Sequence, residues 1–451
     1  MHPTYQATNT DLYQLTMAAG YFENNSNHMS TFELFVRKLP ANRSYLVAAG
    51  IEQCLQYLEN LKFYPEEIKY LKSLPQFKSV SKEFFKYLES FKFSGDVYAL
   101  EEGTIFFPNE PAIRVTAPAI EAQIVETYLL SMFNYQTLIA SKAARIFTSA
   151  PDCKIIDFGT RRAHSPEAGV LAARAAYIGG CCGTSNVLAA SKFDIPAYGT
   201  MAHSWIMSFE SEKESFEAYN KVFPGSVVLL IDTYDTIEAA KMVAKLPFKV
   251  SGVRLDSGNF ELLSKEVRKI LDKEGKNDIK ILVSGDMNEY KIKDLLASNS
   301  PIDYFGVGTE LATSKDAPAL SGVYKLVEQD INGLISYKAK FSKDKKSYPS
   351  KKQVYRFYDN NGLFSHDIIS PEGELDNTHS DKLLKPAIKG GTIVKDFKTD
   401  IKSTQNNCLN SLEKLPSKYK VLENAPLYEV KISESLEKLA DNVMKSIFTQ
   451  V

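Results

Sequence analysis

The sequence predicts an irregular α/β barrel over residues 125–320, set within a discontinuous α+β domain made of residues 1–124 and 321–451. Three observations predict it. Between Lys154 and Leu311, six apolar, strand-like runs end abruptly in glycine with charged or hydroxyl residues: DFGTRR at 157–162, YGTMAH at 198–203, DTYD at 232–235, RLDSG at 254–258, SGD at 284–286 and GVGTE at 306–310. The later endings recur every 25 to 30 residues or so, roughly the length of a strand plus the crossover helix that a parallel neighbour requires. The flanking segments are β-rich but lack such crossovers. In parallel α/β sheets, loops at the carboxyl ends of the strands build the substrate site, so polar residues gathered there point to an enzyme.

Each central element follows from its pattern. SVVLLID is a continuous apolar run, and TIEAAKMVAKL after it spaces apolar residues as a helix does. FKVSGVRLD is followed by the helical FELLSKEVRKILDKEG; DIKILVSGD and NEYKIKDLLASN repeat the unit, and IDYFGVGTEL follows. In the flanks, residues 30–50 and 93–118 hold short β-prone runs divided by Gly and Pro, with helices expected at YPEEIKYLKSL and SKEFFKYLESF. QVYRFYDNNGLFSHDII reads as a hairpin across Asn360, Asn361 and Gly362, residues that tolerate positive φ. SESLEKLADNVMKSIF closes the chain as a helix begun at a Ser cap. The lysine-rich KAKFSKDKKSYPSKK reads as a solvated loop, with a polyanion contact as the competing function.

Composition narrows the class. A chain of 451 residues, 44% hydrophobic, can bury a large core, and its length favours more than one domain. The formal charge is -1, from 54 basic and 55 acidic residues, so no global attraction to nucleic acid is expected. The five cysteines form no C-x-x-C pair, which argues against a structural zinc site and a secreted disulfide framework and fits a reducing cytoplasm. No basic stretch leads into an apolar core at the start, and no apolar run is long enough to cross a bilayer; a soluble protein without a membrane partner is expected.

Several strand endings carry chemistry. Gly306, Gly308 and Thr309, with the turn at Ser284, Gly285 and Asp286, allow backbone N–H groups and a hydroxyl to approach a phosphate; simple turn geometry is the alternative. P-loop and dinucleotide-binding glycine motifs are absent. Asp232, Asp235 and Asp256 lie at consecutive endings, where carboxylates suit Mg²⁺ carried by a phosphate substrate, or else cap helices. Arg161 and Arg254 offer forked donors to an anion or to these aspartates. His203 occupies a strand-ending loop, where a neutral imidazole serves as nucleophile or base, or as a structural hydrogen-bonding group. His164 has weaker support, and His2, His28, His366 and His379 have no evident chemical neighbourhood.

The motifs TDLYQLTMAAGY, DFGTRRAHSPEA, GTSNVLAA, YGTMAHSW, VRLDSGN, GVGTELATS and PSKKQVYRFYD, in this order from Thr10 to Phe357, resemble the nicotinate phosphoribosyltransferase family, with weaker similarity through LLKPAI and LPSKYK. The resemblance implies a type II phosphoribosyltransferase-like barrel. It implies condensation of nicotinate with phosphoribosyl pyrophosphate to nicotinate mononucleotide and pyrophosphate, coupled to ATP hydrolysis, in pyridine nucleotide salvage leading to NAD. By the same resemblance, Tyr13, from the partner subunit of a homodimer, and Phe158 sandwich the pyridine ring. Arg161 and Arg254 surround substrate anions, and His203 is the histidine phosphorylated by ATP, with Asp232 as its carboxylate partner. Asp256 and Asp11 lie near magnesium and pyrophosphate, and Gly285, Gly308 and Thr309 cradle the ribose 5-phosphate. Related nicotinamide enzymes carry an acidic residue where this chain has Ser185; an acid would repel nicotinate, whereas a hydroxyl can donate to its carboxylate.

Overall fold

Short parallel strands, each buried along most of its length, carry the polar endings. They are β1 (Lys154–Asp157), β2 (Gly183–Thr184), β3 (Val228–Leu230), β4 (Gly252–Leu255), β5 (Lys280–Ser284) and β6 (Tyr304–Val307). Their order is β2-β1-β6-β5-β4-β3, and every pair is parallel. Because β1 pairs with β6, the chain's first and last strands here are neighbours, as in a cylinder with one seam between β2 and β3. The computed structural model describes residues 7–225, 227–341, 347–375 and 380–449; His2, His379 and positions 342–346 of the lysine-rich run lie outside the described residues.

At the seam, the run before Tyr198 was expected to be a full strand. It makes only one bridge, Thr184 to Ala197. Thr184 N–H donates to the Pro196 carbonyl at 3.0 Å and Tyr198 N–H to the Thr184 carbonyl at 2.9 Å. Pro196 has no N–H with which to extend the ladder. Strand β2 is the unexpected element, too short for a periodicity to reveal. These two features make the barrel irregular.

The helices of this unit are α1 (Glu126–Thr148), α2 (Pro166–Ile178), α3 (Val187–Phe193), α4 (His203–Met207), α5 (Glu212–Val222), α6 (Thr236–Ala244), α7 (Phe260–Lys273), α8 (Glu289–Ala297) and α9 (Thr309–Ala312). Side-chain caps start many of them: Asp235 accepts from Ile237 and Glu238 N–H, Asn259 from Leu262, and Asn288 from Tyr290 and Lys291. Asp235 is thereby a cap. The unit spans Ile139–Pro318, and the other comprises Met1–Leu138 with Ala319–Val451. The boundary falls inside α1, not at 125, because that helix is continuous and offers no linker.

The other unit explains why the chain must return to it. Its seven-stranded sheet runs in the order Leu334–Tyr337, Gly322–Ile331, Met29–Val36, Pro111–Pro118, Asp96–Leu100, Leu384–Lys389, Thr392–Ile393, interleaving strands from both chain segments. A four-stranded sheet contains the expected hairpin, Lys352–Tyr358 paired with Phe364–Pro371, with Gly362 at φ 75 in the turn. Ser433 Oγ accepts from Leu436 N–H at the start of the closing helix, Glu434–Thr449.

This unit buries an ionic cluster. Arg356 donates to Asp367 (Nε–Oδ1 3.0 Å) and to the Ile105 carbonyl (2.8 Å), Tyr428 OH donates to Asp367 (3.0 Å), and Glu110 Oε2 accepts from Phe107 N–H (2.8 Å). Burial, then the charge of Asp367, pushes the Glu110 carboxyl well above its ordinary value. Its Oε1 has no donor, so a retained proton lets it donate to Asp367. Because the folded state holds this proton more tightly than the unfolded chain, the contribution is fully present below the ordinary carboxylate value and is lost as pH rises through the raised one. Glu110→Gln keeps the donor without the titration. The expected result is a flatter Tm profile than the parent's as pH rises above the ordinary carboxylate range, measured by circular dichroism; parallel profiles would refute it.

Candidate active site

Strand β1 ends in Asp157, whose buried carboxylate organises the following turn. It accepts from Gly159 N–H at 2.8 Å and Thr184 Oγ1 at 2.7 Å, while its carbonyl accepts from Ser185 N–H at 2.9 Å. Burial pushes this carboxyl up, partly offset by the Thr184 and Gly159 hydrogen bonds. Phe158 is thus held with its N–H on the Val307 carbonyl at 2.8 Å. Its ring lies against β6: a Cβ on Gly306 would come within 2.5 Å of Phe158 Cδ2, so only glycine fits there.

Arg254, inside β4, gathers the neighbouring endings. Its Nε donates to Ser284 Oγ (2.8 Å), Nη1 to Thr200 Oγ1 (3.0 Å) and the Met201 carbonyl (3.3 Å), and Nη2 to Asp256 Oδ1 (2.6 Å). The guanidinium carbon stands 5.6 Å from the centroid of the Phe158 ring, within cation–π range. Ser284 Oγ also donates to Asp256 Oδ1. Burial pushes Asp256 up, but the Ser284 and Arg254 hydrogen bonds outweigh it and hold the carboxyl below its ordinary value. Gly285, at φ +104, places its α-carbon where a Cβ would meet the Asp256 carbonyl at 2.2 Å.

Asp232 Oδ2 accepts from Asp256 N–H (2.9 Å) and Ser257 Oγ (2.7 Å), while its Oδ1 is buried without a hydrogen-bond donor. His203 opens α4. Its Nδ1 lies 3.1 Å from Thr233 Oγ1, and its Nε2 is 3.9 Å from Asp256 Oδ2. The carboxylate beside the imidazole is therefore Asp256. Asp232 was expected in that place, but its side chain turns back to hold the Asp256 backbone.

The remaining expected residues belong to other elements. Gly308 and Thr309 lie at the start of α9, with the Gly308 carbonyl against Gly159. Ser185 is exposed on the loop after β2, and Arg161 is exposed in the 3-10 turn Thr160–Arg162 after β1. Asp11 and Tyr13 belong to the other unit, where Asp11 Oδ2 accepts from Thr127 Oγ1 at 2.8 Å and Tyr13 is half-exposed at the start of the helix Leu12–Glu23.

Sequence reasoning did not foresee the partners of four contributors. Asp157, Thr200 and Ser284 lay within the quoted motifs, but their partners come from other strands. Glu212, at the start of α5, left no signal beyond an acidic first turn. Its Oε1 is buried without a donor, and burial, then the charges of Asp232 and Asp235, pushes its carboxyl up to about 7. Among the described residues no group of three or more His, Cys, Asp or Glu is placed to hold a metal.

Each unit contains a cavity. One of about 130 Å³ lies within the cylinder, lined by Ile156, Phe158, Tyr198, Thr200, Leu282 and Tyr304 among others. A larger one of about 320 Å³ in the other unit is lined by Glu52, Glu59, Glu101, Glu102 and Lys398 among others. There, Glu102 already accepts from Gly50 and Ile51 N–H and Glu59 from Ile393 N–H. The arginine, histidine and aspartates converge at the barrel instead.

Comparison with known proteins agrees with this geometry. Three family models match successive parts of the chain: the nicotinate phosphoribosyltransferase N-terminal domain over residues 8–134, the nicotinate phosphoribosyltransferase family over 153–378, and the nicotinate phosphoribosyltransferase C-terminal domain over 372–440. A nicotinate phosphoribosyltransferase of Mycobacterium tuberculosis is 41% identical over 434 residues, covering 95% of this chain and 91% of its own. One from Bacillus subtilis is 41% identical over 357 residues, 77% of this chain and 72% of its own. The crystal structure of human nicotinic acid phosphoribosyltransferase superposes with a TM-score of 0.85 at 25% identity, over 96% of this chain and 99% of that one. With an α/β barrel whose strand endings gather an arginine, a histidine and paired aspartates, and with these matches along its length, the chain belongs to the nicotinate phosphoribosyltransferase family.

Proposed function

We propose that the chain transfers the phosphoribosyl group of phosphoribosyl pyrophosphate to nicotinate and couples this to ATP hydrolysis through a phosphohistidine at His203. The observation that carries the reading is Arg254 poised over the Phe158 ring while hydrogen-bonded to Asp256 and Ser284. The pyridine ring stacks on Phe158, with its carboxylate met by Arg161 and the Ser185 loop. The ring nitrogen attacks the anomeric carbon of the ribose as its bond to the pyrophosphate oxygen breaks, and the leaving group takes that electron pair. Asp256 and Asp232 stabilise positive charge developing on the sugar, Arg254 receives negative charge on the leaving group, and Gly285, Gly308 and Thr309 hold the 5-phosphate.

Asp256 Oδ2 and the unpartnered Asp232 Oδ1 are oxygens of the kind Mg²⁺ takes, and Asp11 is a further candidate ligand. With so few protein ligands, such an ion would be held largely by pyrophosphate and water; it would supply positive charge against the phosphates. Thr233 engages Nδ1 of His203 and leaves Nε2 as the nitrogen to be phosphorylated. Added negative charge there would bias the site toward its substrate-binding state. Tyr13, exposed with Leu12 and Met17 on one helix, supports a homodimer in which the partner copy completes the ring pocket. The five cysteines are thiols, the state a reducing cytoplasm maintains, and the product would feed NAD synthesis there. No helix among the described residues is long and apolar enough to cross a membrane.

The direct test offers nicotinate, nicotinamide or quinolinate with phosphoribosyl pyrophosphate, with and without ATP, and identifies the nucleotide product. Nicotinate mononucleotide, formed faster with ATP, is expected; exclusive use of another pyridine would overturn the assignment. Ser185→Asp should lower the ratio of kcat/KM for nicotinate to that for nicotinamide by about tenfold (~1.4 kcal/mol), the scale of one like-charge conflict with the bound carboxylate. An unchanged ratio removes Ser185 from selectivity.

A further inference from the structure

We infer that Lys142 is a positioning residue that draws together the two glycine loops assigned to the 5-phosphate, an inference that rests on that assignment. Lys142 projects from α1 and is 1% exposed. Its Nζ forms ion pairs with Glu289 Oε2 at 2.6 Å, Asp316 Oδ1 at 2.9 Å and Glu310 Oε2 at 3.7 Å. These carboxylates are not scattered. Glu289 begins α8, just beyond the Gly285 turn; Glu310 lies in the first turn of α9, beside Gly308 and Thr309; Asp316 lies on the segment leaving α9.

The cluster is charge-balanced and layered. Arg145, one turn along α1, pairs with Glu289 Oε1 at 3.1 Å, and Lys315 pairs with Glu310 Oε1 at 3.2 Å, so three cations face three carboxylates. Lys142 is the member that touches both arms. Without it, the fully buried Glu289 and the nearby Glu310 and Asp316 would repel one another, and desolvated like charges relax by moving apart. The movable parts are the loops at Gly285 and Gly308. Lys142 is buried among these carboxylates and acts by setting the separation of two backbone cradles, to which bound phosphate is sensitive.

The test separates positioning from mere stability. In Lys142→Met, KM for phosphoribosyl pyrophosphate and Kd for ribose 5-phosphate, by titration calorimetry, should rise at least about tenfold, with KM for nicotinate and Kd for pyrophosphate within about twofold. Glu310→Gln, which releases one arm of a partly exposed pair, should show the same selective pattern at about threefold, and it decides the matter should Lys142→Met not fold. Uniform weakening of all ligands, or ribose 5-phosphate binding unchanged in both variants, would overturn the inference. Thr309→Val is the control on the cradle. If it leaves ribose 5-phosphate binding intact, the cradle assignment fails and takes this inference with it; if it weakens binding while both cluster variants do not, only the role of Lys142 falls.

Discussion

Replacing Arg254 with methionine lowers kcat/KM for nicotinate mononucleotide formation by about 10³-fold or more. Methionine keeps much of the aliphatic stem but removes every donor to Ser284, Thr200, Met201 and Asp256 and the cation above Phe158. Loss of a single preorganised donor from a developing charge typically costs about 10²- to 10³-fold, and here the same change also leaves the Asp256 carboxylate without its cation. Arg254→Lys should recover only a small part, because a point charge cannot span three strand endings as a planar fork does. Steady-state kinetics with thermal unfolding as a folding control provide the check. A loss below tenfold in a folded Arg254→Met protein would show that the hub is not the reaction centre.

His203→Ala is expected to abolish acid-labile, ATP-derived phosphate on the protein and to break the ratio of ATP hydrolysed to product formed, while leaving a slower ATP-independent transfer. Phosphohistidine is unstable in acid, so label measured before and after acid treatment reports the residue chemistry directly. Thr233→Val should reduce labelling severalfold, because the imidazole loses the partner at Nδ1 that orients it. Label persisting at the parental level in His203→Ala would assign the phosphoryl acceptor elsewhere.

How much of this was legible beforehand depends on the range of the forces involved. The strand runs ending at Asp157, Asp232, Asp256, Gly285 and Gly308 were visible because apolar periodicity and glycine punctuation are local properties. The hairpin across Gly362 and the cap at Asp235 follow from φ preferences and from hydrogen bonds spanning two or three residues. The run before Tyr198 failed as a strand because pairing also needs a partner with free groups, and Pro196 limits what that run can offer.

The site divides in the same way. That Arg254, Asp256 and His203 belong to one centre was available from ordered motifs and from their place at strand endings. Which groups face one another was not: Asp256 rather than Asp232 stands beside His203, Glu212 joins from a separate helix, and Lys142 binds carboxylates almost 150 residues or more further along the chain. By itself, the sequence determined the succession of elements and the residue types delivered to the strand endings, since those rest on short-range periodicity and turn chemistry. The tertiary structure alone decided partners, burial and the charge each group carries, because register and packing select one pairing among many that composition allows, and desolvation acts only once the pairing has closed around it.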